Sequence, residues 1–465
     1  MTEVLSAALQ PHARVWRRKK DNMLTLLHIS DLHITTDGAG GQFDRDLIIR
    51  QAMLDDLGKD NRSNFDAILV TGDIAYHGRA DEYVRAKRWL EELRTKCSSD
   101  PEAIFVVPGN HDVNQAKVSK HSSVWELHQT LRTNRPDEER LASLQAKLKD
   151  PALDFLIALK EYCDFAQGYG CPTSVGQLAW LQFLDDEKKL EDGTAVRFHG
   201  LNSALISDAE DEKANLLLAD FQFSQFKNDP SYVDIVLCHH PHSWLLDGNR
   251  ANDYFRTQSH IVLCGHEHDA RCYKEGASLR IFAGAIHPNR RESRWQPCYH
   301  VIRLSIDLSN GRDLIIQVET RDWANNEKCF VRHVYPNDAN VYTDCIRLSP
   351  WRKPIEKGGS QFNPNRDNAT VSSSTMNASI TTADAFAAAR RKLIVHFFRI
   401  GTLSRFEAAF DAGVWDDSDD ALDGQARWAR VFDRAEKDNK LGALWDAVAK
   451  KDSTLSGQIN PFTKG

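Results

Sequence analysis

Five short polar motifs, each placed directly after a run of apolar residues, constrain this sequence most. The apolar runs are rich in Val, Ile, Leu and Phe, which is typical of strands buried on both faces of an α/β domain. In open α/β sheets, ligands bind beyond the carboxyl ends of the strands. The motifs therefore predict one site built from several strand ends. They are Asp31-Leu32-His33, Gly72-Asp73, Gly109-Asn110-His111-Asp112, His239-His240-Pro241 and Gly265-His266-Glu267-His268.

The polar side chains of these motifs are mainly carboxylates and imidazoles, which are metal ligands. Two divalent ions about 3.5–4 Å apart can deprotonate a bridging water and clamp the oxygens of a phosphoryl group. Each ion then needs carboxylate and imidazole ligands, and one carboxylate is shared. This mixture suits Mn²⁺, with Fe, Zn, Co or Ni as alternatives, rather than an all-oxygen calcium site. The sequence thus predicts a hydrolase of phosphate esters in which a metal-bridging hydroxide attacks phosphorus.

The composition of the chain argues against several classes of binding partner. The 465 residues carry a formal net charge of −7, which argues against extensive binding of polyanions. No apolar run is long enough to span a bilayer, and the first residues lack the apolar region of a signal peptide. Nine cysteines without a CxxC pair indicate reduced thiols rather than a disulfide framework. We therefore expect a cytoplasmic protein with no membrane contact.

The pattern along the chain predicts several regions. Residues 1–22 read as an N-terminal arm, and strands dominate the catalytic domain at residues 23–352. Within it, residues 115–190 are mostly helical in pattern and hold no ligand candidates, so they form an insertion. Residues 353–382 are rich in Gly, Ser, Asn, Thr and Pro, which predicts a flexible linker. Residues 383–465 show short amphipathic helices, which predict a small bundle.

The order DxH, GD, GNHD, H and GHxH resembles that of the calcineurin-like metallophosphoesterases over roughly residues 24–305. The resemblance implies an α/β fold, a two-sheet α/β sandwich with a dinuclear centre. It also implies seven metal ligands. Those of the first metal are Asp31, His33 and His268. Those of the second are Asn110, His239 and His266, and the bridging ligand is Asp73.

Further roles follow from the same resemblance. His111 would protonate the leaving group or hold the phosphate, and Asp112 would support the site. The family's H-x-P spacing selects His239 as the ligand, with His240 as the alternative. Many relatives carry a second Asp three residues after the bridging one, which orients the catalytic histidine. Here that position is Tyr76, whose phenol does not supply the same charge.

The Asp-x-His and Gly-His-x-His pattern resembles the cyclic-nucleotide phosphodiesterase branch, which implies a phosphodiester substrate, a nucleotide or nucleic acid. A nuclease is one alternative, supported by the Arg- and Trp-containing segment 289–295, and a phosphomonoesterase is another. The helical tail at 383–465 resembles the effector-associated adaptor domains of bacterial conflict systems. That resemblance implies a bacterial protein whose tail binds a protein partner, while the enzyme domain carries out the response. In the alternative, the tail simply packs on the catalytic domain.

Overall fold

The structure of this protein is a computed structural model. It describes residues 23–36, 45–59, 64–119, 122–133, 136–150, 153–185, 188–224, 228–286, 296–309, 311–350, 374–422 and 424–463. The predicted arm, the segment 289–295 and residues 353–373 of the predicted linker lie outside these ranges.

The described strands, in chain order, are β1 (Leu24–Ile29), β2 (Ala67–Thr71), β3 (Ile104–Val107), β4 (Trp180–Phe183), β5 (Ala195–Gly200), β6 (Tyr232–Leu237), β7 (Ile261–Cys264), β8 (Arg271–Glu275), β9 (Ser278–Phe282), β10 (Cys298–Asp307), β11 (Asp313–Ala324), β12 (Cys329–Arg332) and β13 (Tyr342–Arg347). The described α-helices are α1 (Arg45–Leu57), α2 (Ala80–Lys96), α3 (Ser123–Arg132), α4 (Asp137–Leu148), α5 (Lys160–Gln167), α6 (Gly248–Gln258), α7 (Ser374–Arg399), α8 (Thr402–Asp411), α9 (Gly424–Lys437) and α10 (Leu441–Ala449).

The strands form two sheets, which confirms the expected two-sheet α/β architecture. One sheet has the order β12-β11-β10-β1-β2-β3, with β13 paired to β11. The other has the order β4-β5-β6-β7-β9-β8. β1, β2 and β3 run parallel, as do β5, β6, β7 and β9. Every residue of β1, β2, β3, β6, β7 and β9 is buried, as expected for strands covered on both faces.

All five motifs lie beyond the carboxyl ends of parallel strands. β1, β2 and β3 lead into three of them, and β6 and β7 into the other two. Backbone hydrogen bonds join neighbouring motifs, from Asp31 N–H to the Gly72 carbonyl at 3.1 Å and from Gly265 N–H to the His239 carbonyl at 3.0 Å. The two sheets also meet at these ends, because the His266 N–H, which follows β7, donates to the Asp31 carboxylate, which follows β1, at 3.2 Å.

The predicted insertion contains α3, α4 and α5, but it does not stay helical to residue 190. Its last part forms β4, which pairs antiparallel with β5 at the edge of the second sheet. The Trp180 indole N–H donates to the Val106 carbonyl at 3.1 Å and so joins this strand to β3. A four-residue edge strand has too short a sequence pattern to stand out from the helices before it.

The helix α7 begins at Ser374, inside the range 353–382 that the sequence predicts as a linker. Few large apolar residues mark this segment, so its sequence looks like a linker. Alanine favours the helix, and adding residues to an existing helix costs much less free energy than starting one. The bundle has its own core, which includes Phe397, Trp428, Val431, Leu444 and Trp445.

The helical tail packs on the catalytic domain through α7. Arg391, only 5% exposed, donates from Nη2 to the carbonyls of Ile104 at 2.8 Å and Tyr169 at 2.9 Å, and from Nη1 to that of Glu102. Its guanidinium lies 4.1 Å from the ring centre of Phe105. The alternative in which the tail packs on the domain is therefore what the structure shows, while a recruitment role stays a prediction.

Flanking contacts extend this docking surface. The Lys392 ammonium lies 2.9 Å from a Glu102 carboxylate oxygen, and the Arg399 guanidinium lies 3.0 Å from Glu91. Within the described part of the chain, no helix combines the length and the apolar character that a membrane crossing requires.

Candidate metal centre

The structure brings the candidate ligands of the five motifs together in one cluster. Four overlapping triplets of side chains each place their ligand atoms within 4.8 Å of one another. Every residue predicted as an Asp or His ligand belongs to at least one triplet. The triplets are Asp31-His33-His268, His33-Asp73-His111, Asp31-Asp73-His239 and His239-His240-His266.

One half of the cluster is built around two carboxylates. His268 Nε2 lies 3.1 Å from Asp31 Oδ1. His33 Nε2 lies 3.1 Å from Asp73 Oδ2 and 4.0 Å from Asp31 Oδ1. Asp31 and Asp73 are both buried. Two carboxylates and two imidazoles therefore converge at the ends of β1 and β2.

The other half is built around the Asn110 amide. Asn110 Oδ1 lies 3.2 Å from His239 Nε2, 3.2 Å from His240 Nε2 and 3.0 Å from His266 Nδ1. His239 Nε2 also lies 3.4 Å from Asp73 Oδ2, so Asp73 touches both halves. His239 and His240 both reach this half, so the geometry places the chosen ligand and its alternative side by side.

Most of the candidate ligands have an unusual backbone conformation. Of the eleven non-glycine residues with positive φ in the described ranges, five are candidate ligands. Left-handed φ is rare outside glycine, and such strain persists where the surrounding structure enforces it, often at functional sites. The five are Asp31 at +54°, His33 at +41°, Asp73 at +51°, His266 at +69° and His268 at +54°.

Two glycines permit the close approach of the motifs. Gly72 has φ +92°, and a side chain there would strike the His239 ring. A side chain at Gly109 would collide with the Asp73 carboxylate. Any larger residue would push the bridging candidate or its imidazole neighbour out of place.

The charges of the buried groups suit a cation. Burial alone would raise the pKa of Asp31, but His268 and His239 lower it to about 2. Burial likewise opposes the ionisation of Asp73, yet the adjacent His239 holds the pKa of Asp73 well below its usual value. Burial lowers the pKa of His33 to about 4 and that of His266 to about 3. At neutral pH the carboxylates are charged and these imidazoles are neutral, the state that metal binding requires.

The hydrogen bonds of His239 indicate that these donor atoms fit a metal ion. His239 Nδ1 lies 2.7 Å from the Thr71 carbonyl, an acceptor only, so Nδ1–H donates. In the neutral ring Nε2 then carries a lone pair, and it faces oxygens of Asp73 and Asn110. Burial disfavours the charged ring, but Asp73 raises the pKa of His239 to about 9, so a proton can occupy this place. Lone pairs that converge on one point fit a divalent cation.

His111 lies beside this cluster with its orientation fixed. Its Nδ1 lies 2.9 Å from the backbone carbonyl of Tyr76, so Nδ1–H donates and Nε2 is left for other chemistry. The Tyr76 ring stacks on the imidazole with centroids 5.1 Å apart. The Tyr76 carbonyl thus orients His111. In many relatives an Asp side chain at the position of Tyr76 is expected to orient this histidine.

Asp112 lies beneath the motifs rather than in the cluster. Its buried carboxylate accepts hydrogen bonds from the N–H groups of Ala75 at 3.0 Å and Gly109 at 2.9 Å, and from the Tyr83 hydroxyl at 2.8 Å. Ile74 N–H lies 3.2 Å from it as well. Burial, followed by the charge of Asp73, raises the pKa of Asp112 to about 6. Asp112 therefore ties two ligand-bearing loops together and does not reach the cluster.

Three contributors to the site come from outside the five motifs. Ser203 Oγ lies 2.9 Å from His240 Nδ1. The Trp244 ring meets His266 edge to face, with centroids 4.1 Å apart. Tyr83, which anchors Asp112, is on α2. These residues lie outside the motifs, and only the fold brings them to the site.

Residues 24–270, more than half of the chain, match the calcineurin-like phosphoesterases (Metallophos). The chain belongs to this family. The match begins with β1 and ends just beyond the last metal-ligand motif, so it spans all five motifs. Members of the calcineurin-like phosphoesterase family depend on metals, in agreement with the donor set described above.

The uncharacterized metallophosphoesterase-like protein YydB of Bacillus subtilis is 24% identical over 330 residues, which cover 65% of this chain and 61% of YydB. The match thus spans less than two thirds of that relative. Among solved structures, GAP50 of Plasmodium has a TM-score of 0.35 at 11% identity and covers 70% of this chain and 90% of its own. Zinc-bound Vps29 of Entamoeba histolytica has a TM-score of 0.26 at 11% identity, covering 70% and 98%.

Proposed function

We propose that this protein is a metal-dependent phosphodiesterase acting on a nucleotide or nucleic acid. The metal-dependent hydrolysis rests on one observation, the convergence of seven candidate ligands from five strand ends. Five of these ligands have a positive φ. The choice of a diester rests on the resemblance of the Asp31-His33 and His266-His268 pairs to the cyclic-nucleotide phosphodiesterase branch.

Two divalent ions fit the two halves of the cluster, with Mn²⁺ as the first candidate. When bound, they would neutralise phosphoryl oxygens and lower the pKa of a water nucleophile. The proposed ligands of the first ion are Asp31, His33 and His268. Those of the second are Asn110, His239 and His266, and Asp73 is shared.

The protein's own residues perform the remaining steps. His111, oriented by the Tyr76 carbonyl, holds a proton on Nε2 for the leaving oxygen. Asp112 acts as a positioning residue, because it fixes the loops of Asp73 and Asn110 through their backbone.

Hydrolysis of bis-p-nitrophenyl phosphate, compared with that of p-nitrophenyl phosphate, tests this proposal. With added Mn²⁺ we expect the diester to be the better substrate, measured as kcat/KM. A chelator should abolish the activity and Mn²⁺ should restore it, since no side chain of the cluster replaces the charge of the ions. Cleavage of the monoester alone would contradict a phosphodiesterase, and chelator-resistant cleavage would contradict a metal-dependent one.

His111→Asn should affect poor leaving groups much more than good ones. An alkoxide leaving group needs a proton, so we expect kcat to fall by roughly 10²–10⁴-fold for a dinucleotide. Nitrophenolate leaves without a proton, so the loss for bis-p-nitrophenyl phosphate should be much smaller. Equal losses for both substrates would mean that His111 holds the phosphate rather than protonating the leaving oxygen. Metal content of the variant serves as the control.

A further inference from the structure

An exposed aromatic ring adjoins one end of the metal-ligand cluster. Tyr76 is 39% exposed although it borders a buried site. Its ring stacks on His111 at 5.1 Å and meets His33 edge to face at 5.8 Å. The ring therefore lies next to the group that would protonate a leaving oxygen.

The loop that carries Tyr76 is held on several sides. Tyr76 N–H donates to the Ile34 carbonyl at 3.1 Å, and its own carbonyl accepts from His111. Just beyond, the buried Glu82 carboxylate accepts from the N–H groups of His77 at 2.9 Å and Arg79 at 3.1 Å. Because this loop is held in place, the Tyr76 ring that it carries loses little freedom when a planar group stacks on the ring.

A second aromatic ring adjoins the opposite end of the cluster. Trp244 meets His266 edge to face at 4.1 Å and lies 6.3 Å from the His240 ring. Its indole N–H donates to Glu267 Oε1 at 3.3 Å, and its backbone bonds to Pro241 and Leu216. The side chain is partly buried and fixed in orientation.

We propose that Tyr76 and Trp244 form two aromatic subsites, and that the substrate is a phosphodiester with a planar group on each side of phosphorus, as in a dinucleotide. The inference rests on the proposed phosphodiesterase function. A monoester has one organic group and needs one platform, whereas the rings lie at both ends of the cluster. Because Tyr76 borders His111, it stacks on the leaving group, and Trp244 stacks on the group that remains on phosphorus. Stacking accepts any base, since every base has a π face.

Two esters with the same leaving group test the Trp244 subsite in the metal-loaded, full-length protein. Bis-p-nitrophenyl phosphate carries a second planar group, and methyl p-nitrophenyl phosphate does not. We expect the ratio of their kcat/KM values to fall roughly 5- to 50-fold in Trp244→Ala and to stay within about threefold in Trp244→Phe. This ratio cancels any damage that both substrates share, such as displacement of His266. An unchanged ratio in Trp244→Ala would overturn this subsite.

The variants Tyr76→Ala and Tyr76→Phe test the other subsite. The test asks whether each substitution changes KM or kcat. Loss of a stacking platform should raise KM for both nitrophenyl esters roughly 5- to 50-fold in the alanine variant, and the phenylalanine variant should resemble wild type. A fall in kcat for a dinucleotide, with KM unchanged for both nitrophenyl esters, would show that Tyr76 acts only through His111, and would overturn the subsite. A wild-type diesterase that is indifferent to both rings refutes this inference alone. A wild type that cleaves only monoesters refutes the proposed function and this inference together.

Discussion

Asp73→Asn will lower kcat/KM by about a thousandfold or more and will reduce the number of bound metal ions. The Asp73 carboxylate touches an imidazole of each half of the cluster, at 3.1 Å from His33 and 3.4 Å from His239. The asparagine amide fits the same space but cannot share a negative charge between two ions. Loss of about 4 kcal/mol of charge stabilisation corresponds to roughly three orders of magnitude in rate. Steady-state kinetics and the metal content per chain measure the two effects.

Asp247→Asn is a matched control for this variant. Asp247 is also a buried carboxylate, 4% exposed, but it accepts hydrogen bonds from the N–H groups of Leu218 and Ala219 outside the cluster. It should lower Tm without changing the metal content. If Asp73→Asn retains both metals and most of the activity, the bridging assignment is wrong. If both variants lose metal equally, the cluster responds to general destabilisation rather than to the loss of a ligand.

Arg391→Ala will lower the stability of the catalytic domain by about 3–5 kcal/mol, although residue 391 belongs to the tail. The substitution leaves the carbonyls of Glu102, Ile104 and Tyr169 without this donor inside the protein. It also opens a void beside Phe105, on which the guanidinium stacks. In a chain of this size the change corresponds to a fall in Tm of roughly 3–5 °C. Thermal unfolding followed by near-ultraviolet circular dichroism measures it.

Arg390→Ala supplies the comparison for this prediction. The neighbouring guanidinium lies 2.9 Å from Glu436, within the bundle, and its side chain is 30% exposed. A surface ion pair of this kind contributes about 0–1 kcal/mol. Equal destabilisation by the two variants would show that the docking of α7 does not depend on the buried guanidinium.

The sequence predicted the catalytic fold and the candidate ligands because the signals are local. An apolar run followed by Asp31 or His266 carries both the strand and its ligand within a few residues. The five motifs then meet because parallel strands share one edge. The positive φ of these ligands, in contrast, is imposed by contacts between motifs, such as Asp31 N–H with the Gly72 carbonyl. No property of Asp or His alone would have predicted it.

Long-range contacts explain what the sequence did not reveal. Arg390, Arg391 and Lys392 are consecutive cations with no distinguishing pattern, yet of the three only Arg391 is buried, whereas Lys392 contacts Glu102 from a partly exposed position. The partner of His111 could not be found by searching for a carboxylate, because a backbone carbonyl takes that place. Trp244 reaches His266 from a short helical turn that no motif marks.

The docking of α7 has a practical consequence for protein engineering. β3 has four residues, about 13 Å in length, and joins the Arg391 contacts at Glu102 and Ile104 to the Asn110 loop. A truncated protein that ends near residue 350, where the strands end, would lack α7, the helix that covers the start of β3. A shortened version should therefore retain α7 together with α8, α9 and α10, because these helices share one core with Phe397. A reporter fused to the catalytic part should follow α7 rather than replace it.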